Sequence, residues 1–95
     1  MCGIFLAQDP ATYASETRPI RLHGHATSIR LEAAFWTILE EIAAGEDMPV
    51  ARFVATLHDE IEQKLDGVGN FASFLRVTCV HYLHRKLAAR EPAMA

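Results

Sequence analysis

"GHATSIRLEAAFWTILEEIAAG", residues 24–45, changes its hydrophobic period partway along, and that change decides the fold. Up to Leu31 the period is two: Thr27, Ile29 and Leu31 share one face, and Ala26, Ser28 and Arg30 share the other. Such alternation marks an extended strand with one buried side. From Phe35 the period is helical, with Phe35, Ile38, Leu39 and Ile42 in one stripe that Trp36 and Ala43 widen. Glu32 suits the positive end of that helix, and Gly45 supplies a stop.

Upstream, Ile20 and Leu22 alternate with Arg21, and Gly24 permits a bend between two extended pieces. The tripeptide Ile-Arg-Leu occurs at 20–22 and again at 29–31. One short ribbon is too little sheet to stand alone, so it needs a partner. Residues 1–17, with Pro10 and few charges, read as an irregular N-terminal arm. Downstream, Asp47 is read as the N-cap of a second helix that tolerates Pro49 in its first turn. Its stripe is Val50, Phe53, Val54, Leu57, Ile61 and Leu65, and "DGVGN" from Asp66 ends it. Asn70 then caps a third helix, Phe71 to Leu87, apolar on most sides through Leu83. A helix of that kind is expected to be buried, here across a dimer interface. The domain is therefore placed at 18–88, with a flexible tail at 89–95.

Ninety-five residues make one domain with a modest core, yet 51% of them are hydrophobic. That excess is expected to be covered by a second copy of the chain. Cys2 and Cys79 form no CxxC, and the chain opens without a secretory leader, which fits a reduced cytoplasmic protein. The apolar stretches are too short for a membrane span. Net charge is −3, but its distribution says more than its sum. From Arg18 to Arg30 there are three arginines, two histidines and no acid; from Glu32 to Asp66 there are nine acids against Arg52 and Lys64. From Arg76 to Arg90 there are four basic residues and no acid.

Strand, helix, short turn and helix, with a ribbon that needs a second copy, resembles the ribbon-helix-helix DNA-binding proteins. Within them, "GHATSIRLEAAFW" is similar to a bacterial subfamily that runs Gly-His-x-Thr-Ser-[Ile/Val]-x-Leu-Glu, two residues, then Phe-Trp. A later segment, "NFASFLRV", shares that likeness, and coverage runs from about residue 18 to residue 87. The resemblance implies a mostly α fold: a short β-ribbon and two helices, here with an added C-terminal helix, in a homodimer. It implies that two chains build a ribbon for the major groove of double-stranded DNA. Ala26, Ser28 and Arg30 would face the DNA, and Thr27, Ile29 and Leu31 the core. Arg30 could pair with guanine O6 and N7, and Ser28 with a base edge or a phosphate. Arg18, Arg21 and His25 would contact phosphates, as would backbone amides from Met48 to Val50 at the start of the second helix. Residues 18–23 then read either as a second strand or as an arm that orders on DNA. The chain departs from the pattern at Ala26, where a polar side chain is usual. It also carries Glu46 and Asp47 beside the proposed phosphate site, and Pro49 offers no amide donor.

Other readings stand beside this one. The opening "MCGIF" resembles the start of glutamine amidotransferases, whose N-terminal cysteine is the nucleophile. The Asn-Gly and Gly-Asp pairs that supply the rest of that site occur nowhere in the chain, so no catalytic residue and no enzyme activity are expected. His23 and His25 are two apart, and His81 and His84 are one helical turn apart near Cys79. Neither group makes a tight set of three ligands, and no metal or other cofactor is expected. Buried on a helix, Cys79 reads as an inert apolar side chain. The acidic middle and apolar residues 1–8 support an alternative function: a dimeric protein-interaction module, antitoxin-like or adaptor, that binds a protein rather than DNA.

Overall fold

The computed structural model describes residues 3–65 and 67–90. Cys2, Asp66 and residues 91–95 of the expected tail lie outside the described residues. The chain contains a short helical turn α1 (Pro10–Tyr13), strands β1 (Ser15–Leu22) and β2 (His25–Glu32), and helices α2 (Ala33–Gly45), α3 (Val50–Lys64) and α4 (Phe71–Arg90). The strands pair antiparallel through a two-residue turn at His23 and Gly24, whose φ angles are 51° and 81°. Two left-handed residues in a row make the type I′ turn that suits the twist of a hairpin.

The second strand expected as one alternative at 18–23 is therefore real, and longer than that reading allowed. It starts at Ser15, inside the stretch read as an irregular arm, and α1 precedes it. Ser15, Glu16 and Thr17 are held by pairing with Glu32, Leu31 and Arg30, and Trp36 Nε1 donates to the Glu16 carbonyl at 2.8 Å. Asp9 caps α1 by accepting from the Ala11 amide.

The register fixes which backbone groups are used. A two-residue turn closes on Leu22 and His25, and bonded pairs then alternate along an antiparallel ladder. Ile20–Thr27, Arg18–Ile29 and Glu16–Leu31 are bonded pairs, and the Ala33 amide continues the series to the Ala14 carbonyl at 2.9 Å. Pro19 falls on an unbonded position opposite Ser28, so its missing N–H costs the ladder nothing. By the same alternation Ala26, Ser28 and Arg30 direct their N–H and C=O groups to the open edge of β2.

The core lies between the hairpin's inner face and the helices. Ile20, Ile29 and Leu31 meet Trp36 and Leu39 of α2, Val54 of α3, and Leu75 and Cys79 of α4. Among the described residues no charged or polar side chain is fully buried.

Two helix ends decide how α2 passes into α3. Gly45 is the last helical residue rather than the stop beyond it, and Asp47 adopts the left-handed conformation at φ 55°. The Asp47 amide donates to Ala44 and the Met48 amide to Ala43, both at 3.1 Å. This is the paired closure of a helix C-terminus. Asp47 therefore ends α2 and does not cap α3, as the sequence reading had it; Pro49 holds the N-cap position without a side-chain bond. A left-handed residue that closes one helix cannot also take the extended conformation of an N-cap. At α4 the Asn70 side chain accepts from the Ser73 amide at 3.0 Å, as the sequence suggested.

Within one chain α4 is buried on one face only. Leu75 and Cys79 are fully buried, while Val77 is 65% exposed and Leu87 62%, with Val80 and Leu83 also open. Polar ties hold the helix in place: Arg76 to Glu32 at 2.8 Å, and both Tyr82 and Lys86 to Glu41. No helix among the described residues is long and apolar enough to cross a membrane.

Candidate nucleic-acid interface

Side chains directly opposed in a ladder lie on the same face of the sheet. The register thus sets Arg21 beside Ala26, Pro19 beside Ser28, and Thr17 beside Arg30 on the hairpin's outer surface. All six are exposed. Ala26, Ser28 and Arg30 form one row along β2, and Arg21 flanks it from β1.

The two outer arginines differ in freedom. Arg21 donates to the Gly24 carbonyl at 2.9 Å, which lays its guanidinium over the turn. Among the described residues no hydrogen bond or ion pair engages Arg30. The acid nearest along its face, Glu32, is bound by Arg76, whose hydrogen bond holds that carboxyl below its ordinary pKa. An exposed arginine without an acidic partner keeps all its donors for a ligand.

Arg18 lies on the opposite face. It sits over the Trp36 ring at 4.8 Å, bonded to Glu16 and, at 2.9 Å, to Glu40. Its parity with Ile20 and Leu22 directs it inward, and there it bridges the hairpin to α2. His25 is exposed at the start of β2. Ile29 and Leu31 are buried, but Thr27 on their face is exposed. It borders a groove of about 390 Å³ that runs along β2 and is also lined by Leu22, His58, Phe71 and Ala72.

At the start of α3 the Met48 amide already serves Ala43, so it is not free for a phosphate. Val50, Ala51 and Arg52 occupy the first turn, where amides have no intrahelical acceptor, and no acid stands in that turn. Thr17 and Pro19 also belong to the outer face: Thr17 precedes the stretch that reads as extended, and Pro19 reads as a break within it. The alternation of Thr17, Pro19 and Arg21 with Arg18, Ile20 and Leu22 was the available signal.

No curated protein matches this chain. Among solved structures it is similar to an uncharacterized protein from Bordetella pertussis Tohama I. The two are 44% identical with a TM-score of 0.88, over 97% of this chain and 74% of the other. A family model described as the ribbon-helix-helix domain matches residues 15–83, from the first residue of β1 well into α4. The chain belongs to the ribbon-helix-helix family.

Proposed function

We propose that the protein is a homodimeric, cytoplasmic DNA-binding regulator that occupies a two-fold symmetric operator. Members of its family typically form dimers and bind DNA, and are regulatory proteins rather than enzymes. The observation that carries the reading is the outer row of β2, where Arg30 stands beside Ser28 and, among the described residues, neither Arg30 nor the other edge of the strand has a partner. Two β2 edges would join antiparallel, making the inner pair of a four-stranded sheet with each β1 outside. The two central strands, one β2 from each protomer, would supply the two-stranded ribbon that the major groove admits, with each β1 at its rim. Arg30 and Ser28 would then read base edges, with Ala26 against them as a small apolar contact. Arg21 and His25 would meet phosphates, as would the amides from Val50 onward; Arg18 would do so only by leaving Glu16 and Glu40.

The test is fluorescence anisotropy on mixed-sequence duplex DNA, comparing wild type with Arg30→Ala and, as a control on the far end of α3, Lys64→Ala. Loss of a specific arginine contact costs about 1–3 kcal/mol per protomer. Lost from both protomers, that is about 2–6 kcal/mol for the dimer, so Arg30→Ala should weaken binding at least about thirtyfold while Lys64→Ala does not. Equal affinities for all three proteins would remove Arg30 from the interface. The exposed apolar residues of α4 favour a second reading, a dimeric module that docks a protein. That module would ignore both the DNA and the Arg30 substitution.

A further inference from the structure

Three side chains outside the outer face of the ribbon meet where the hairpin tip touches α3. His23, in the left-handed turn, points Nε2 at Asp59 Oδ1, 3.4 Å away. His58, one residue before Asp59, brings its ring to 5.7 Å from that of His23. One donor atom from each of His23, His58 and Asp59 lies within 4.8 Å of the other two.

We propose that His23, His58 and Asp59 bind one divalent transition-metal ion, zinc being the best match, which clamps the hairpin tip to α3. Two imidazoles and a carboxylate are the ligand types that zinc, cobalt and nickel take up in proteins. The ordinary alternative is a surface ion pair between His23 and Asp59, whose side chains are 59% and 49% exposed; such pairs hold little. An ion pair also leaves His58 unexplained. Its Nδ1 is buried without a hydrogen-bond partner, and its ring stands edge-on to Phe71 at 5.0 Å. A buried polar atom with no partner calls for a water, an ion or a specific role. Its Nε2 lies 3.6 Å from Glu62, so a carboxylate is at hand to orient the ring, as metal-bound histidines require.

The test is direct titration of the untagged, full-length protein with cobalt(II), read by its visible d–d absorption, and with zinc(II) by calorimetry. The expected result is one ion per chain. His23→Asn, which keeps a residue the turn accepts, and Asp59→Asn, on an accessible side chain, should each weaken binding at least about tenfold, the lower bound seen even for partners behind the ligands. The double variant His81→Ala/His84→Ala should bind as wild type does. Zinc should also raise the thermal midpoint of wild type and leave that of His23→Asn unchanged. No uptake by wild type, equal affinity in His23→Asn and Asp59→Asn, or loss only with the α4 histidines would overturn the site.

Discussion

Replacing Ser28 by proline separates the two edges of β2. The Ser28 N–H takes no part in the hairpin ladder, because Ser28 faces Pro19 in an unbonded pair. The substitution therefore leaves the β1–β2 pairing whole and removes one donor from the open edge, where the partner's strand is proposed to join. A two-fold axis doubles the loss to two hydrogen bonds per dimer. At about 0.5–1.5 kcal/mol net for each, the dimer weakens by about 1–3 kcal/mol, or about 5- to 150-fold in Kd. Thr27→Pro is the contrasting variant: Thr27 bonds Ile20, so proline there breaks the hairpin itself. Sedimentation equilibrium over a range of protein concentrations measures the dimer constant, and circular dichroism checks that the monomer stays folded. Ser28→Pro should fold and dissociate, and Thr27→Pro should lose folded structure. A Ser28→Pro protein that dimerises as wild type does would refute pairing through the β2 edge.

Further outcomes follow from local structure. Asp47→Gly relieves a left-handed residue at φ 55° and should stabilise the fold by up to about 1 kcal/mol in urea titrations; a destabilised variant would contradict the helix closure described. Burial pushes the Cys79 thiol up to about 11, so in a Cys2→Ser background it should resist thiol reagents at pH 8 until denaturant is added. Rapid labelling of the folded protein would show that α4 does not hold Cys79 against α2 and the hairpin. Glu32 has its pKa lowered by the Arg76 hydrogen bond, so its contribution is complete above the ordinary carboxyl value of 4.5 and fades as pH falls through the lowered one. Arg76→Gln should flatten that part of the stability–pH curve, and an unchanged acid limb would remove the pair from the account.

How much of this could be read from residues alone varies with the physics of each element. The faces of both strands were legible because Ile20, Leu22, Ile29 and Leu31 recur with period two, and α2 because its stripe begins as that alternation stops. Asn70 announced α4 by a local bond. The start of β1 was obscured: Ser15 and Thr17 are polar, and Pro19 reads as a break until the register shows that its amide is not needed. Asp47 misled because Gly45 resembles a stop and aspartate resembles a cap, and only the backbone shows which helix it serves. The inward turn of Arg18 was in fact written in its parity with Ile20, but its charge suggested solvent. The meeting of His23 with His58 was beyond any spacing rule, since the fold brings the turn onto α3.

The measurement closest to the central claim is the affinity of the wild-type protein for duplex DNA as a function of salt. In the proposed complex Arg21 and Arg30 of two protomers would bring about four cations to the phosphates, and each phosphate so neutralised releases counterions. Between about 50 and 200 mM salt the association constant should then fall about a hundredfold along a straight line of log K against log salt. A flat line, or no binding at the lower salt, would contradict the proposal that this ribbon holds DNA.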